Sequence, residues 1–305
     1  MTTRTPVLFL VFNRPDLAAR VFDRIRAARP PMLCVSADGP RAGVAGEAEA
    51  CRETRKVVEA IDWKCDLVRD FAEENVGCGP KIGRAISSFF SHTEQGIILE
   101  DDCLPDPSFF PFCDELLSRY ADDSRVMQIA GSNYQFGRGR RDYSYHFSRN
   151  IRIHGWATWK RAWQHYDLRP SLWPEMRRLG LVESCFRTGR AYGVFAEHMD
   201  RLCREPVPHT WDYQWSFCCM VQNGLSAVPN VNLISNIGYC SRSTHTADPS
   251  SPFADMATEP MAFPLRHAPY VLDDPDSESY RQDKYETTLR ERFAGRMWRR
   301  VAGFR

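Results

Sequence analysis

The stretch from Gly96 to Pro105 reads Gly-Ile-Ile-Leu-Glu-Asp-Asp-Cys-Leu-Pro. Its apolar first half has the length and the β-branched composition of a strand buried in a parallel sheet. Glu100, Asp101 and Asp102 follow at the carboxyl end of that strand, the edge where open α/β sheets bind ligands. Three adjacent carboxylates repel one another unless a cation or a ligand lies between them. The stretch therefore predicts an oxygen-ligated divalent-metal site that holds a nucleoside diphosphate. The alternative is a solvated acidic turn whose Asp101 or Asp102 caps the next helix.

Strand-like and helical segments alternate over the first 130 residues. The predicted strands are Pro6–Phe12, Pro31–Ala37, Cys65–Phe71, Gly96–Leu99 and Arg125–Ala130, and the predicted helices are Asp16–Ala28, Glu47–Ile61, Pro80–Phe90 and Pro107–Tyr120. Repeated β-α-β units predict an α/β fold, a mostly parallel sheet flanked by helices.

The pattern changes after residue 130, where aromatic residues, arginine and glycine dominate as far as Trp173. Beyond that point, Glu183–Arg204 and Asp212–Asn223 are predicted to be helical and Ser226–Ile234 to be extended. Residues 248–276 are rich in proline, serine and aspartate, which is typical of a loop.

Bulk composition excludes several classes of protein. The 305 residues carry a formal net charge of +1, so nothing indicates nucleic-acid binding. No apolar run is long enough to span a membrane, and the N-terminus lacks the pattern of a signal peptide. The 11 cysteines form no Cys-x-x-Cys pair and do not suggest a disulfide framework. We therefore expect a cytoplasmic protein with reduced cysteines.

Two polar residues follow predicted strands at the same edge of the sheet as the acids. Arg14 comes after the first strand, where its guanidinium can meet a phosphate or a base edge, or can simply be a surface arginine. Asp38 follows the second strand and can accept from a uracil imide or a ribose hydroxyl, although Asp-Gly-Pro also suits an Asx turn. Because the carboxyl ends of parallel strands meet at one edge, we expect both residues to lie beside the acids.

The segment Gly77–Gly83 reads G-C-G-P-K-I-G and is rich in glycine like a phosphate-binding loop. Its spacing matches neither the P-loop nor the dinucleotide-binding pattern. We expect it to begin a helix instead, with Pro80 in the first turn. Lys81 or Arg84 of that helix is then a candidate to face a nucleotide.

Asp212 lies within W-D-Y-Q-W, at the start of a predicted helix. A carboxylate in apolar surroundings holds its proton more tightly and can act as a general base near neutral pH, and aromatic side chains stack on sugar rings. An ordinary helix start with Trp211 as a hydrophobic staple explains the same residues, and the two interpretations are compatible. His245, in S-T-H-T, is a weaker candidate for a metal or diphosphate ligand.

Together these motifs resemble the GT-A nucleotide-sugar glycosyltransferases, of the N-acetylglucosaminyltransferase I type and its bacterial relatives in surface-polysaccharide gene clusters. The resemblance runs from Pro6 to Thr246 and consists of V-F-N-R-P, S-A-D-G, I-L-E-D-D-C-L-P-D-P-S-F-F, G-W-A-T-W-K-R-A-W, W-D-Y-Q-W and N-I-G-Y before T-H-T. It implies a GT-A domain over residues 1–247, with a nucleotide-sugar-binding half (1–130) and an acceptor half (131–247), followed by a C-terminal segment (248–305). Unlike the eukaryotic enzyme, the chain has no second acid beside Asp212. We also expect no N-terminal membrane anchor.

The resemblance also implies roles for individual residues. Asp102 is expected to bind Mn²⁺ or Mg²⁺, with His245 as a less secure further ligand. Glu100 and Asp101 are expected to contact the donor sugar and ribose of a UDP-sugar, and Arg14 and Asp38 to hold the nucleotide. Asp212 is expected to be the base of an inverting transfer to a glycan or lipid-linked acceptor. Two rival classes remain open at this point: a metal-dependent phosphoesterase or nucleotidyltransferase, and a non-catalytic carbohydrate-binding protein.

The last 17 residues, 289–305, place Leu289, Phe293, Met297 and Val301 at steps of four, which predicts an apolar stripe on a basic helix. Such a helix either docks on its own domain or lies on an anionic membrane surface. The second interpretation predicts a protein at the inner face of the plasma membrane.

Overall fold

A computed structural model describes residues 2–138, 142–239 and 251–276. Its strands are β1 (Val7–Val11), β2 (Met32–Ala37), β3 (Asp66–Phe71), β4 (Gln95–Glu100), β5 (Cys103–Pro105), β6 (Val126–Ala130), β7 (Tyr145–Ser148), β8 (Trp156–Trp159), β9 (Leu225–Pro229) and β10 (Ile234–Asn236). Its α-helices are α1 (Pro15–Ala28), α2 (Glu47–Lys56), α3 (Cys78–His92), α4 (Phe109–Arg119), α5 (Lys160–Trp163), α6 (Trp173–Leu179), α7 (Gly189–Arg204) and α8 (Asp212–Val221).

Eight of these strands form one sheet in the order β3-β2-β1-β4-β8-β6-β9-β7. β3, β2, β1 and β4 are parallel, β8 is antiparallel to both β4 and β6, β6 and β9 are parallel, and β7 is antiparallel to β9. Helices cover both faces of the sheet, so the predicted fold class is confirmed. The sheet is continuous across residue 130, and β5 and β10 form a separate antiparallel pair.

Every residue of β1 is buried, because its side chains alternate between the two faces of the sheet and helices cover both faces. Val7, Phe9 and Val11 pack in the core beneath α1 and α4, whereas Leu8 and Leu10 pack in the core beneath α3 and α8. The register aligns Leu10 with Ser36 of β2 and with Glu100 of β4. The loops that follow β1, β2 and β4 therefore leave the sheet at one common edge.

Several boundaries differ from the sequence prediction. The helix predicted over 47–61 ends at Lys56 and continues as a 3₁₀ turn, Val57–Ala60. The helix predicted from Glu183 begins at Gly189, because Thr188 caps it by accepting from the backbone N–H of Ala191 at 3.1 Å. The extended segment predicted over 226–234 divides between β9 and β10.

The aromatic region after residue 130 contains two strands that the sequence pattern did not reveal, β7 and β8. All four residues of β8 are buried, so the strand has no polar alternation to mark it. Over residues 251–275 the proline-rich segment has no helix, and its one strand-like feature is a single bridge at Asp273. Its Met261 and Leu265 nevertheless belong to the core beneath α1 and α4.

Two predictions fall on residues outside the described ranges: the metal-ligand role of His245 and the basic helix at 289–305. Among the described residues, no helix has the length and apolar character needed to cross a membrane.

Candidate functional site

The carboxyl end of β4 carries the acid triplet, which we define as Glu100, Asp101 and Asp102. Arg14 forms ion pairs with two of its members: one with Asp101, and one from Nη1 to Oδ2 of Asp102 at 3.0 Å. The backbone N–H of Phe12 also donates to Oδ2 of Asp101, at 3.3 Å. Pro15 occupies the first turn of α1 and places Arg14 at the junction between β1 and that helix. The structure therefore brings Arg14 to the triplet, as the sequence predicted, and engages its guanidinium with two carboxylates.

The triplet brings three carboxylates together, of which Asp101 is buried and Glu100 and Asp102 are half-buried. Burial, followed by the charges of Asp102 and Asp101, raises the pKa of Glu100 well above its usual range. Burial also raises the pKa of Asp101 to about 6, although the Arg14 guanidinium acts in the opposite direction. Burial by itself lowers the pKa of Arg14, but the charges of Asp101 and Asp102 outweigh it and raise that pKa above the ordinary value. One guanidinium thus does not neutralise the cluster.

The segment Asn236–Gly238 closes over the triplet from the β10 side. The backbone N–H of Ile237 donates to the carbonyl oxygen of Asp102 at 2.9 Å. A Cβ atom on Gly238 would lie 2.3 Å from Oδ2 of Asp102 and 2.9 Å from Nη1 of Arg14. Only glycine permits this approach, so N-I-G-Y contributes a close backbone wall to the site.

Asp38 lies at the expected strand end, but its carboxylate is used within the protein. Oδ1 accepts from the backbone N–H of Gly39 at 2.9 Å and of Val76 at 3.0 Å. Oδ2 accepts from Asn75 Nδ2 at 3.1 Å and from the backbone N–H of Gly77 at 3.0 Å. In this arrangement Asp38 holds the loop that leads into α3.

Lys81 is likewise engaged within the protein. It is a buried residue of α3, and its Nζ lies 2.8 Å from Oδ2 of Asp70 at the exposed edge strand β3. The hydroxyl of Ser36 donates to the same oxygen at 2.9 Å. Lys81 therefore ties α3 to the sheet through Asp70.

Asp212 is the first residue of α8, and Thr210 Oγ1 donates a hydrogen bond to it. The tryptophans on either side, Trp211 and Trp215, are buried at 2% and 0% exposure and therefore cannot offer a free face to a sugar. Their rings pack on Trp156 of β8 at centroid distances of 5.7 and 5.6 Å. Trp156 in turn pairs with Ile98 of β4 in the sheet. The aromatic residues thus anchor the start of α8 beside the end of β4.

Cys78, at the start of α3, shows that these carboxylates converge. Burial raises the pKa of its thiol, and so do the charges of Glu100 and Asp212, then those of Asp38 and Asp102. Gly79 permits the convergence, because a Cβ there would lie 2.4 Å from the carbonyl oxygen of Pro208 and 2.7 Å from that of Thr210. The sequence analysis did not single out Cys78, although the glycines on either side signalled a close backbone approach.

The chemistry of these side chains can be compared with the needs of a metal ion. Within residues 2–138, 142–239 and 251–276, no three His, Cys, Asp or Glu side chains are grouped as a metal site. Asp102 still offers a carboxylate whose side chain is 15% exposed. Its Oδ2 pairs with Arg14 Nη1 at 3.0 Å, and its Oδ1 accepts from the Cys103 thiol at 3.4 Å. The cluster supplies oxygen donors and has a deficit of positive charge, which suits a hard divalent cation such as Mn²⁺ or Mg²⁺.

No family model and no curated protein matches this sequence. Among solved structures, the chain is similar to the inositol-1-phosphate CTP transferase from T. maritima, with a TM-score of 0.37 and 11% identity over 74% of this chain and 85% of that one. It is also similar to apo UDP-glucose pyrophosphorylase (TM-score 0.36, 7% identity, 74% and 90% coverage) and to apo mouse xyloside xylosyltransferase 1 (TM-score 0.31, 12% identity, 72% and 81% coverage).

Proposed function

We propose that this protein is a metal-dependent, inverting glycosyltransferase. It moves a sugar from a nucleoside diphosphate sugar, a UDP-sugar in the first instance, to a hydroxyl of a glycan or lipid-linked acceptor. The observation that supports the proposal is that Glu100, Asp102 and Asp212 lie near enough for their charges to raise the pKa of the Cys78 thiol, and that the charge of Asp212 also raises the pKa of Glu100. The two elements are far apart in the chain, and the tryptophan packing on β8 holds them together.

The residues of the triplet have different tasks in this proposal. Asp102, which is partly exposed, would hold Mn²⁺ or Mg²⁺, and a bound divalent cation neutralises the charge that develops on a diphosphate leaving group. Glu100, beside it, would meet the donor sugar. Asp101 is 2% exposed, so it would act through Arg14, keeping that guanidinium at the edge where the phosphates are expected.

Asp212 would be the catalytic base. Its carboxylate would take the proton of the acceptor hydroxyl as the hydroxyl oxygen bonds to the anomeric carbon. The bond between that carbon and the diphosphate breaks on the opposite side, so the nucleoside diphosphate leaves and the configuration inverts. Thr210 would orient the carboxylate through its hydroxyl. His245 remains a predicted further ligand.

The test is a panel of nucleoside diphosphate sugars, assayed with and without Mn²⁺. We expect one donor to raise the melting temperature only with the metal, since a ligand that binds the folded state stabilises it. The same donor should release nucleoside diphosphate and yield a glycoside of inverted configuration. Release of pyrophosphate from a nucleoside triphosphate, or hydrolysis of phosphate esters, would identify the first rival class. Stabilisation by free glycans without nucleotide or metal would identify a carbohydrate-binding protein.

A further inference from the structure

A groove with a volume of about 370 Å³ lies where the start of α3 meets the segment that leads to α8. We call it the proline groove. Six of its eight lining residues are apolar, and Val76, Pro80, Val207 and Pro208 are among them. Val76 and Val207 are 37% and 57% exposed, so two neighbouring apolar side chains of the groove face solvent. The surface is therefore able to take an apolar group from solution.

The remaining two lining residues are Arg84 and Arg169, and no acid of the described residues lines the groove. Arg169 is already engaged, because its guanidinium donates to the carbonyl oxygens of Glu205 and Pro206. Arg84 is an exposed residue of α3, and no hydrogen bond or ion pair joins its guanidinium to another described residue. The groove thus combines an apolar floor with one uncommitted positive charge, a pairing that complements an amphiphilic anion.

The proline groove adjoins the proposed catalytic residues. Cys78, at the start of α3, lies among the carboxylates, and Pro80, two positions later, lines the groove. Pro208 lines the groove as well, and its carbonyl oxygen lies against Gly79. Four residues beyond Pro208 the chain reaches Asp212. The groove therefore lies on the same two segments, the start of α3 and the loop before α8, that carry Cys78 and Asp212.

We propose that the proline groove is the acceptor subsite and that the acceptor is a phosphate-bearing amphiphile. Its apolar group lies on Val76, Pro80 and Val207, and its phosphate pairs with Arg84. Its sugar hydroxyl reaches Asp212. The acceptor role rests on the proposed function, whereas the binding of an amphiphilic phosphate does not. A guanidinium suits phosphate because its planar fork matches two phosphate oxygens.

Binding is tested on the full-length protein by calorimetric titration with octyl phosphate below its micelle concentration. Three control ligands are titrated in the same way. Octyl glucoside has the apolar tail without a charge, and inorganic phosphate has the anion without a tail. Octanoate has the tail with a carboxylate in place of the phosphate. We expect octyl phosphate to bind at least about tenfold more tightly than octyl glucoside or inorganic phosphate, because neither of these combines an apolar tail with an anion. It should also bind more tightly than octanoate, because a phosphate monoester carries more negative charge near neutral pH than a carboxylate does. Equal binding of octyl glucoside or octanoate would overturn the assignment of a phosphate.

Two variants locate the binding. Arg84→Gln and Val207→Asp should each weaken octyl phosphate at least about tenfold, the loss expected when a charge-assisted hydrogen bond is removed or a carboxylate is placed beside the anion. Arg24→Gln, which changes an exposed helical arginine of α1, should bind like the unaltered protein. Stabilisation by UDP and Mn²⁺ should be unchanged in Val207→Asp and in Arg24→Gln. If octyl phosphate binds Arg84→Gln and Val207→Asp as tightly as it binds the unaltered protein, the proline groove is not its binding site.

The same experiment separates the two proposals. If octyl phosphate binding depends on Arg84 but no nucleoside diphosphate stabilises any of the proteins with Mn²⁺, the acceptor role falls with the proposed function. If UDP and Mn²⁺ stabilise the protein but octyl phosphate does not bind, the acceptor subsite is wrong and the transferase proposal stands.

Discussion

The acid triplet at the end of β4 and Asp212 at the start of α8 are held in place by different forces. Arg14 pairs with Asp101 and Asp102, so the triplet is organised by charge. No cationic side chain of the described residues pairs with Asp212, and the buried tryptophans beside it organise its position by packing. A site for a charged diphosphate gains from fixed charges, whereas a base needs a defined position and freedom from a bound cation. The contrast matches the two tasks that we propose.

The largest effect, on turnover, is expected at Asp212, whose position is set by packing. Asp212→Asn keeps the shape of the side chain and removes its basicity, so turnover should fall by about 10²–10⁴-fold. Affinity for the donor with Mn²⁺ should hardly change, and initial rates together with donor thermal shifts measure the two quantities. Thr210→Val, which removes only the orienting hydroxyl, should cost less. A variant that keeps its turnover and loses donor affinity would assign Asp212 to binding, and a product of retained configuration would exclude the single-base scheme.

A large effect on stability is expected at the acid triplet, whose position is set by its ion pairs with Arg14. Arg14→Leu leaves Asp101 buried without its cation, which should lower the free energy of unfolding by about 3–5 kcal/mol. Urea denaturation measures this loss. The double variant Arg14→Leu with Asp101→Asn should recover part of it, because the buried charge is removed along with its partner. A loss below about 1 kcal/mol for Arg14→Leu would show that the pair behaves like a surface ion pair.

Asp102 should matter for the ligand more than for the fold. Its side chain is partly exposed, so Asp102→Ala should leave the unfolding transition nearly unchanged. Mn²⁺-dependent donor binding should weaken by at least about 10–100-fold, the range seen when even outer-shell metal partners are lost. Titration of UDP with and without Mn²⁺ measures it, and Asp23→Ala, at an exposed acid of α1, is the control. Transfer by Asp102→Ala at a near-normal rate would contradict the metal assignment.

The smallest effect is expected at Asp38, the acid at the end of β2. Asp38→Asn turns one acceptor into a donor that faces the Asn75 amide or the backbone N–H groups, so stability should fall by about 1–3 kcal/mol. Donor affinity should change less than in Asp102→Ala, as a paired titration would record. A large loss of nucleotide affinity at unchanged stability would return Asp38 to the nucleotide-contacting role that the sequence predicted.

Local patterns were sufficient for the strands β1 to β4 and β6, for the helices α1 to α4, and for the edge at which the acids lie. The apolar run before Glu100 and the amphipathic helices could be recognised from the sequence, because the spacing of apolar side chains over a few residues indicates which face of an element is buried. The same patterns could not reveal β8, whose four residues are all buried. They also could not tell a tryptophan that binds sugar from one that packs, because Trp211 and Trp215 have the composition of either.

By itself, the sequence determined the α/β class, the strand-end position of Arg14, Asp38 and the triplet, and the helix start at Asp212. Only the tertiary structure decided what each of these side chains meets. Asp38 accepts hydrogen bonds from backbone N–H groups of the loop before α3, and Lys81 pairs with Asp70. Arg14 pairs with Asp101 and Asp102, and the carboxylate of Asp102 is still partly exposed. The physical reason is that polar groups compete for partners across the whole fold. A strand-end acid is open to a ligand only where the chain that packs around it leaves an oxygen accessible.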